Sequence, residues 1–148
     1  MSGVEIDRGV IELFNSMKRR GEAKFATLRI EDKKIIVVDH QADKLSTTTR
    51  DEDRLSFDDL CAHLPRNEPR YGLYDFSFRM NKEARDARKL AFIFWCPDGS
   101  GVGNKMIYAA SKESLKRALV GLSLEFQVND CGDLDYDSMA DQVERKAW

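Results

Sequence analysis

Histidine is scarce in this chain, with only His40 and His63, which argues against a multi-histidine metal centre. Cysteine is hardly commoner. Cys61, Cys96 and Cys131 are scattered, contain no Cys-x-x-Cys pair and are odd in number, which argues against a disulfide-framed secreted scaffold and a zinc module. The three prolines form no linker, and no low-complexity tract or internal repeat divides the chain. No apolar run approaches the roughly 18 residues a bilayer demands, so no stable membrane insertion is expected. The opening MSGVEIDRGV lacks a basic segment followed by an apolar core, so no secretory signal is expected either. A dominant charge is missing too: the net charge of −2 gives no strong overall pull on nucleic acid or membrane, and any basic function must be local.

What is present suits one cytoplasmic domain spanning 1–148 with reduced thiols. The 148 residues are enough for a real core, and the 42% apolar and 34% charged content fits a globular chain. Ile6, Val10, Leu13, Phe14 and Met17 recur at helical spacing, with Asp7 as cap and Gly21 as stop. FATLRI (25–30) and KIIVV (34–38) read as a hairpin split at EDK. Residues 39–55 are polar and read as a long loop. Ser56 reads as the cap of a short helix carrying Phe57, Leu60, Cys61 and Leu64 and ending before Pro65. YGLYDFSF (71–78) alternates like a half-buried strand, 81–89 reads as a hairpin connection, and LAFIFW (90–95) as a central strand covered on both faces. A helix over about 103–120, a short apolar segment GLSLEFQV, and a last helix capped by Asp135 with Tyr136, Met139, Ala140 and Val143 on one stripe complete the chain. The sum is a mixed α/β fold, one sheet layered with helices.

Residues 99–106, GSGVGNKM, lie between strand and helix as a phosphate-binding loop does. The P-loop pattern nevertheless fails: its second glycine is Asn104 and its metal-binding hydroxyl is replaced by Met106. The dinucleotide G-x-G-x-x-G fails at Asn104 as well, and no cofactor is expected. Along the helix, Ile107, Ser111, Leu115, Ala118 and Leu122 fall on a core-facing stripe, while Lys105, Ala109, Lys112 and Lys116 form a second stripe with Met106 beside it. Two readings fit that second stripe, a solvated charged face and a protein contact face, and spacing alone does not choose between them. An enzyme is not expected. Cys96 follows an apolar strand and precedes Pro97, where a thiol reads as core, and neither histidine has an evident partner.

F-W-C-P-D at 94–98, K-M-I-Y-A-A-S-K at 105–112 and L-V-G at 119–121 resemble the actin-depolymerising factor/cofilin family, as do S-G-V at 2–4 and R-Y-G-L-Y-D-F at 70–76. The motifs keep their order and spacing over essentially the whole chain. The resemblance implies the ADF-homology fold, a single mixed β-sheet sandwiched between helices. It implies a monomeric, non-enzymatic protein of the actin cytoskeleton that binds monomeric and filamentous actin, prefers the ADP form, and severs and depolymerises filaments.

Carried over residue by residue, the resemblance implies a monomer-binding face of Ser2, Gly3, Val4, Lys105, Met106, Ile107, Ser111, Lys112 and Asp141. It implies a filament face of Arg85, Arg88, Lys89, Arg145 and Lys146. Ser2 matches the family's regulatory phosphorylation site, and Lys105, Lys112, Lys116 and Arg117 are positioned to meet phosphoinositide headgroups. This chain departs from its relatives at Gly103 and Asn104, where they commonly carry further basic residues, at Ala110 in place of a serine, and at Gln142, often basic. Lys18, Arg19 and Arg20 are a weak counterpart of the nuclear import cluster. The alternative expectation is a monomer-sequestering regulator with little severing activity.

Overall fold

The structure, a computed structural model, describes residues 3–19, 23–80 and 85–146. In chain order the elements are β1 (Glu5–Ile6), α1 (Arg8–Lys18), β2 (Ala23–Glu31), β3 (Ile35–Asp43), α2 (Arg50–Cys61), β4 (Arg70–Arg79), β5 (Asp86–Trp95), α3 (Val102–Ala118), β6 (Leu124–Val128) and α4 (Tyr136–Arg145). The six strands form one mixed sheet ordered β1-β3-β2-β4-β5-β6, with β1 parallel to β3, β6 parallel to β5, and the inner pairs antiparallel.

Strand alternation builds two cores. On β5, Leu90, Phe92 and Phe94 point to the side covered by α1 and α3, while Ala91, Ile93 and Trp95 point to the side covered by α2 and α4. All six are buried, as the unbroken LAFIFW run requires of a strand with a helical layer on each face. β4 divides likewise, Tyr71 and Leu73 against Tyr74, Phe76 and Phe78. It is therefore buried on both faces rather than half-buried.

The hairpin between β2 and β3 forms where EDK suggested. Lys34 donates its amide to Glu31 O at 2.9 Å, and Asp32 and Lys33 both take positive φ (52° and 58°). Helix α1 begins after Asp7, whose carboxylate accepts from the Gly9 amide at 3.0 Å, but Ile6 belongs to β1 rather than to the helix. The proposed stop, Gly21, lies outside the described residues. α4 carries the expected stripe, with Asp135 accepting from the Ser138 amide.

Several boundaries differ from the sequence expectation. Residues 39–55 are not a loop. β3 runs on to Asp43, because a strand with one face in solvent can carry polar side chains while β2 satisfies its backbone. α2 begins at Arg50 and is capped not by Ser56 but by Thr49 in a capping box with Glu52, and Ser56 is buried within the helix. β5 starts at Asp86, inside the predicted 81–89 connection, and residues 81–84 lie outside the described set. GLSLEFQV contains the edge strand β6.

The core stripe of α3 is also rotated, to Tyr108, Ser111, Leu115 and the following Leu119. Tyr108 sets that phase: its hydroxyl accepts from the Ile30 amide at 2.8 Å, its ring lies 5.2 Å from that of Tyr71, and its carbonyl accepts from the Tyr71 hydroxyl. Ile107 and Leu122 pack at the margin of this core, and Ala118 is half-buried.

Candidate functional site

The loop ahead of α3 is held by a close approach. Gly99 lies close to residues 66–67: a Cβ there would meet Asn67 Oδ1 at 2.7 Å, so a larger residue would push the Asn67 side chain aside. Gly101 and Gly103 have open space around them and no positive φ. Gly101 caps α3 without a side-chain bond, and its carbonyl accepts from the Lys105 amide at 3.0 Å. The first turns of α3 therefore start without a side-chain cap.

On those turns Val102 and Met106 stand one above the other, 74% and 68% exposed, forming an apolar ridge on the outside of a helix whose other side is locked into the core. Val102 joins the expected Met106 without having been singled out from the sequence, although the two stand at i, i+4. Lys105 is half-buried beside the ridge. Burial pushes the Cys96 thiol up from its ordinary value, while the Lys105 ammonium pulls it down, which puts these two groups within electrostatic reach.

Further along the helix the basic stripe turns toward β6. Lys116 bonds Glu125 at 2.7 Å, and Lys112 lies 4.0 Å from the same carboxylate and 5.4 Å from the Phe94 ring centroid. Arg117 is exposed. Ser111 is buried, with its hydroxyl donating to Ile107 O at 2.7 Å, so its side chain faces inward. Gly3 is exposed, while Val4 packs against the same core as Ile107. Ser2 lies outside the described residues.

The other predicted residues divide across the sheet. Asp141 belongs to α4, in the layer opposite α3, and its carboxylate accepts from Arg50 at 2.9 Å. Arg88 extends toward α1, donating to Asp75 Oδ2 at 2.7 Å and to Met17 O at 3.0 Å, so it caps the end of α1. Arg85 directly precedes β5, Lys89 is half-buried within it, and Arg145 and Lys146 are exposed at the end of α4.

The two histidines, without an evident partner in the sequence, partner each other. Their rings stack with centroids 3.7 Å apart and planes 12° apart, near Phe25. Among the described residues no group of three or more His, Cys, Asp or Glu is arranged to hold a metal. No described helix is long and apolar enough to cross a membrane.

Charge is sorted by layer. Helices α1 and α3 carry six basic residues and two acidic ones, whereas α2 and α4 carry three basic and eight acidic. The net charge of −2 thus conceals a basic layer and an acidic layer on opposite faces of one sheet.

A six-stranded mixed sheet between two helical layers is the fold of the cofilins and actin-depolymerising factors. The chain superposes on the crystal structure of Streptomyces griseoflavus cofilin with a TM-score of 0.80 at 28% identity, over 97% of this chain and 98% of that one. It superposes on Plasmodium berghei actin depolymerization factor 2 with a TM-score of 0.79 at 28% identity, over 98% and 96%. In sequence it is 37% identical to the cofilin of Yarrowia lipolytica, over 99% of this chain and 90% of that protein, and 34% identical to the cofilin of Saccharomyces cerevisiae, over 99% and 96%. The family model for cofilin/tropomyosin-type actin-binding proteins matches residues 3–144, and the chain belongs to that family.

Proposed function

We propose that this protein binds actin monomers through the first turns of α3, binds ADP-actin filaments through a second surface, and promotes their severing and depolymerisation. The observation that carries this reading is the exposed Met106, flanked by Lys105, on a helix whose opposite side is fixed in the core. An apolar anchor with a charged rim is the usual division of labour at a protein interface. In this reading Met106 and Val102 enter an apolar cleft, Lys105 and Lys112 meet acidic groups around it, Gly3 and Val4 extend the contact, and Ile107 and Ser111 support it from behind. Asp141 contributes from the other layer.

The filament surface is the start of β5 (Arg85, Lys89) with the end of α4 (Arg145, Lys146), and Arg88 fixes the first of these from within. No catalytic step is assigned. The protein acts as a monomer in the cytoplasm. Phosphoinositide headgroups compete with actin for Lys105, Lys112, Lys116 and Arg117. Phosphorylation of Ser2 adds roughly −1.5 to −2 charge to a tail that docks against an acidic partner, which weakens binding.

Gly103 and Asn104 favour a second reading, a monomer-sequestering protein that scarcely severs, since the helix entry lacks the charge its relatives carry. Co-sedimentation with filaments and imaging of filament length decide between the two. A protein that holds monomers yet neither pellets with filaments nor shortens them is the sequestering form. Charge reversal at Lys105 and Lys112 abolishes monomer binding without unfolding the protein; survival of binding rules out this face.

A further inference from the structure

Asp137, Asp141 and Glu144 recur at spacings of four and three, so their carboxylates line one stripe of α4. Alone, such a stripe repels itself, and Glu144 sits in the last turn, where the carbonyl end of a helix disfavours negative charge. Two arginines of α2 offset this. Arg50 donates to Asp141 Oδ1 at 2.9 Å and to Glu144 Oε2, and Arg54 donates to Asp137 Oδ1 at 2.5 Å. Each guanidinium also lies over a ring, Arg50 at 5.0 Å from the centroid of Phe78 and Arg54 at 5.4 Å from that of Tyr136. The Arg50 and Glu144 side chains are each only 15% exposed, so their contact is shielded from solvent, whereas Asp141 at 56% is open. Arg145 and Lys146 follow Glu144 directly.

The geometry points to Arg50 as a positioning residue for the filament-binding cations Arg145 and Lys146. By fixing Glu144 it holds the last turn of α4 and so determines where those two charges stand. Arg50 makes no contact with actin in this scheme, and the inference rests on the filament reading above. Asp141, held less tightly, stays available to a partner while Glu144 anchors the helix.

The test uses the full chain with Arg50→Met, which keeps an apolar stem over Phe78 and removes the charge. Filament affinity in co-sedimentation falls about tenfold, while monomer affinity, carried mainly by α3 with Asp141 a lesser part, falls by no more than about threefold. Amide exchange at 141–145 accelerates at least about tenfold, with β5 unchanged. Glu144→Gln alone lowers filament affinity comparably, and the double variant falls no further than either single one, because all three lose the same anchor. Unchanged filament binding, a joint fall of monomer and filament binding together with thermal stability, or a double variant whose loss is the sum of the two single losses would each overturn the assignment. Should the wild type itself not pellet with filaments, the filament reading fails separately. Amide exchange then decides the role of Arg50 in holding α4, and unchanged exchange at 141–145 overturns it.

Discussion

Lys24 and Asp53 meet at 2.6 Å with side chains 2% and 0% exposed, an ion pair sealed between β2 and α2. Asp53 also accepts from the hydroxyls of Thr47, Tyr74 and Tyr136, at 3.2, 2.9 and 2.5 Å, which joins α2 to a loop, to β4 and to α4. Replacing Asp53 with Asn strands the ammonium, and a loss of about 3–5 kcal/mol in urea unfolding is expected. The double replacement Lys24→Met with Asp53→Leu regains only part of this, because three hydroxyls lose their acceptor. A double variant more stable than wild type would show that the hydroxyls contribute nothing.

The capping box of α2 makes stability depend on acid. Glu52 accepts from the Thr48 hydroxyl at 2.6 Å and from the Thr48 and Thr49 amides at 2.9 and 3.1 Å, and these bonds, the hydroxyl first, hold its carboxyl below the usual range. A carboxylate depressed in the folded state stabilises above its unfolded value, and that contribution disappears as pH falls through the folded value. The thermal midpoint of Glu52→Gln should lie below wild type at pH 7 and converge with it as acid carries the pH below the depressed folded value. A gap that persists at low pH would mean that Glu52 acts by packing.

Lys33 occupies the second central position of the β2–β3 turn with φ of 58°, a region costly for any residue bearing a Cβ. Lys33→Gly creates the Asp-Gly pair that such turns prefer and should raise stability by roughly 0.5–1 kcal/mol in denaturant titration. A loss of stability would indicate that the lysine side chain contributes an unforeseen contact.

The cysteines should differ in reactivity. Burial, aided by Asp58 and Cys131, pushes the Cys61 thiol up to about 12, whereas Cys131 is exposed. At pH 8 the Cys61 thiolate fraction is on the order of 10⁻⁴. Timed iodoacetamide labelling read by mass spectrometry should modify Cys131 long before Cys61, and equal rates would refute the burial argument.

Met106 and Tyr108 are two residues apart on α3 and opposite in exposure. Met106→Ala should leave unfolding stability within about 0.5 kcal/mol and weaken monomer binding by about 2 kcal/mol. Tyr108→Ala should cost about 3–5 kcal/mol of stability, since it empties the core and strips the Ile30 amide of its acceptor. If both substitutions act through stability alone, the ridge is not a contact.

Long periodic segments were legible in the sequence. LAFIFW, the Tyr136 to Val143 stripe and the hairpin at EDK stand where apolar spacing and turn chemistry placed them, because each is determined by its own residues. What escaped depended on tertiary partners. The outer half of β3 looks like loop until β2 pairs with it, and the Thr49–Glu52 capping box lies in a polar stretch whose residues by themselves suit a loop. The phase of α3 is set by Tyr108 reaching Tyr71 and Ile30, which no local pattern records. Residue lists could name Lys105 and Met106 together, but not that Arg88 is consumed in capping α1, nor that Arg50 and Arg54 hold α4.

The separation of charge between the two helical layers acts before any contact forms. Near an acidic surface the α1/α3 layer is drawn forward and the α2/α4 layer pushed back, which gives a torque rather than a net attraction. Screening confines that torque to about 8 Å at physiological ionic strength. A molecule with almost no overall charge is thus turned over the last few ångströms of its approach, α3 leading, and added salt would remove its sense of direction before it removed its grip.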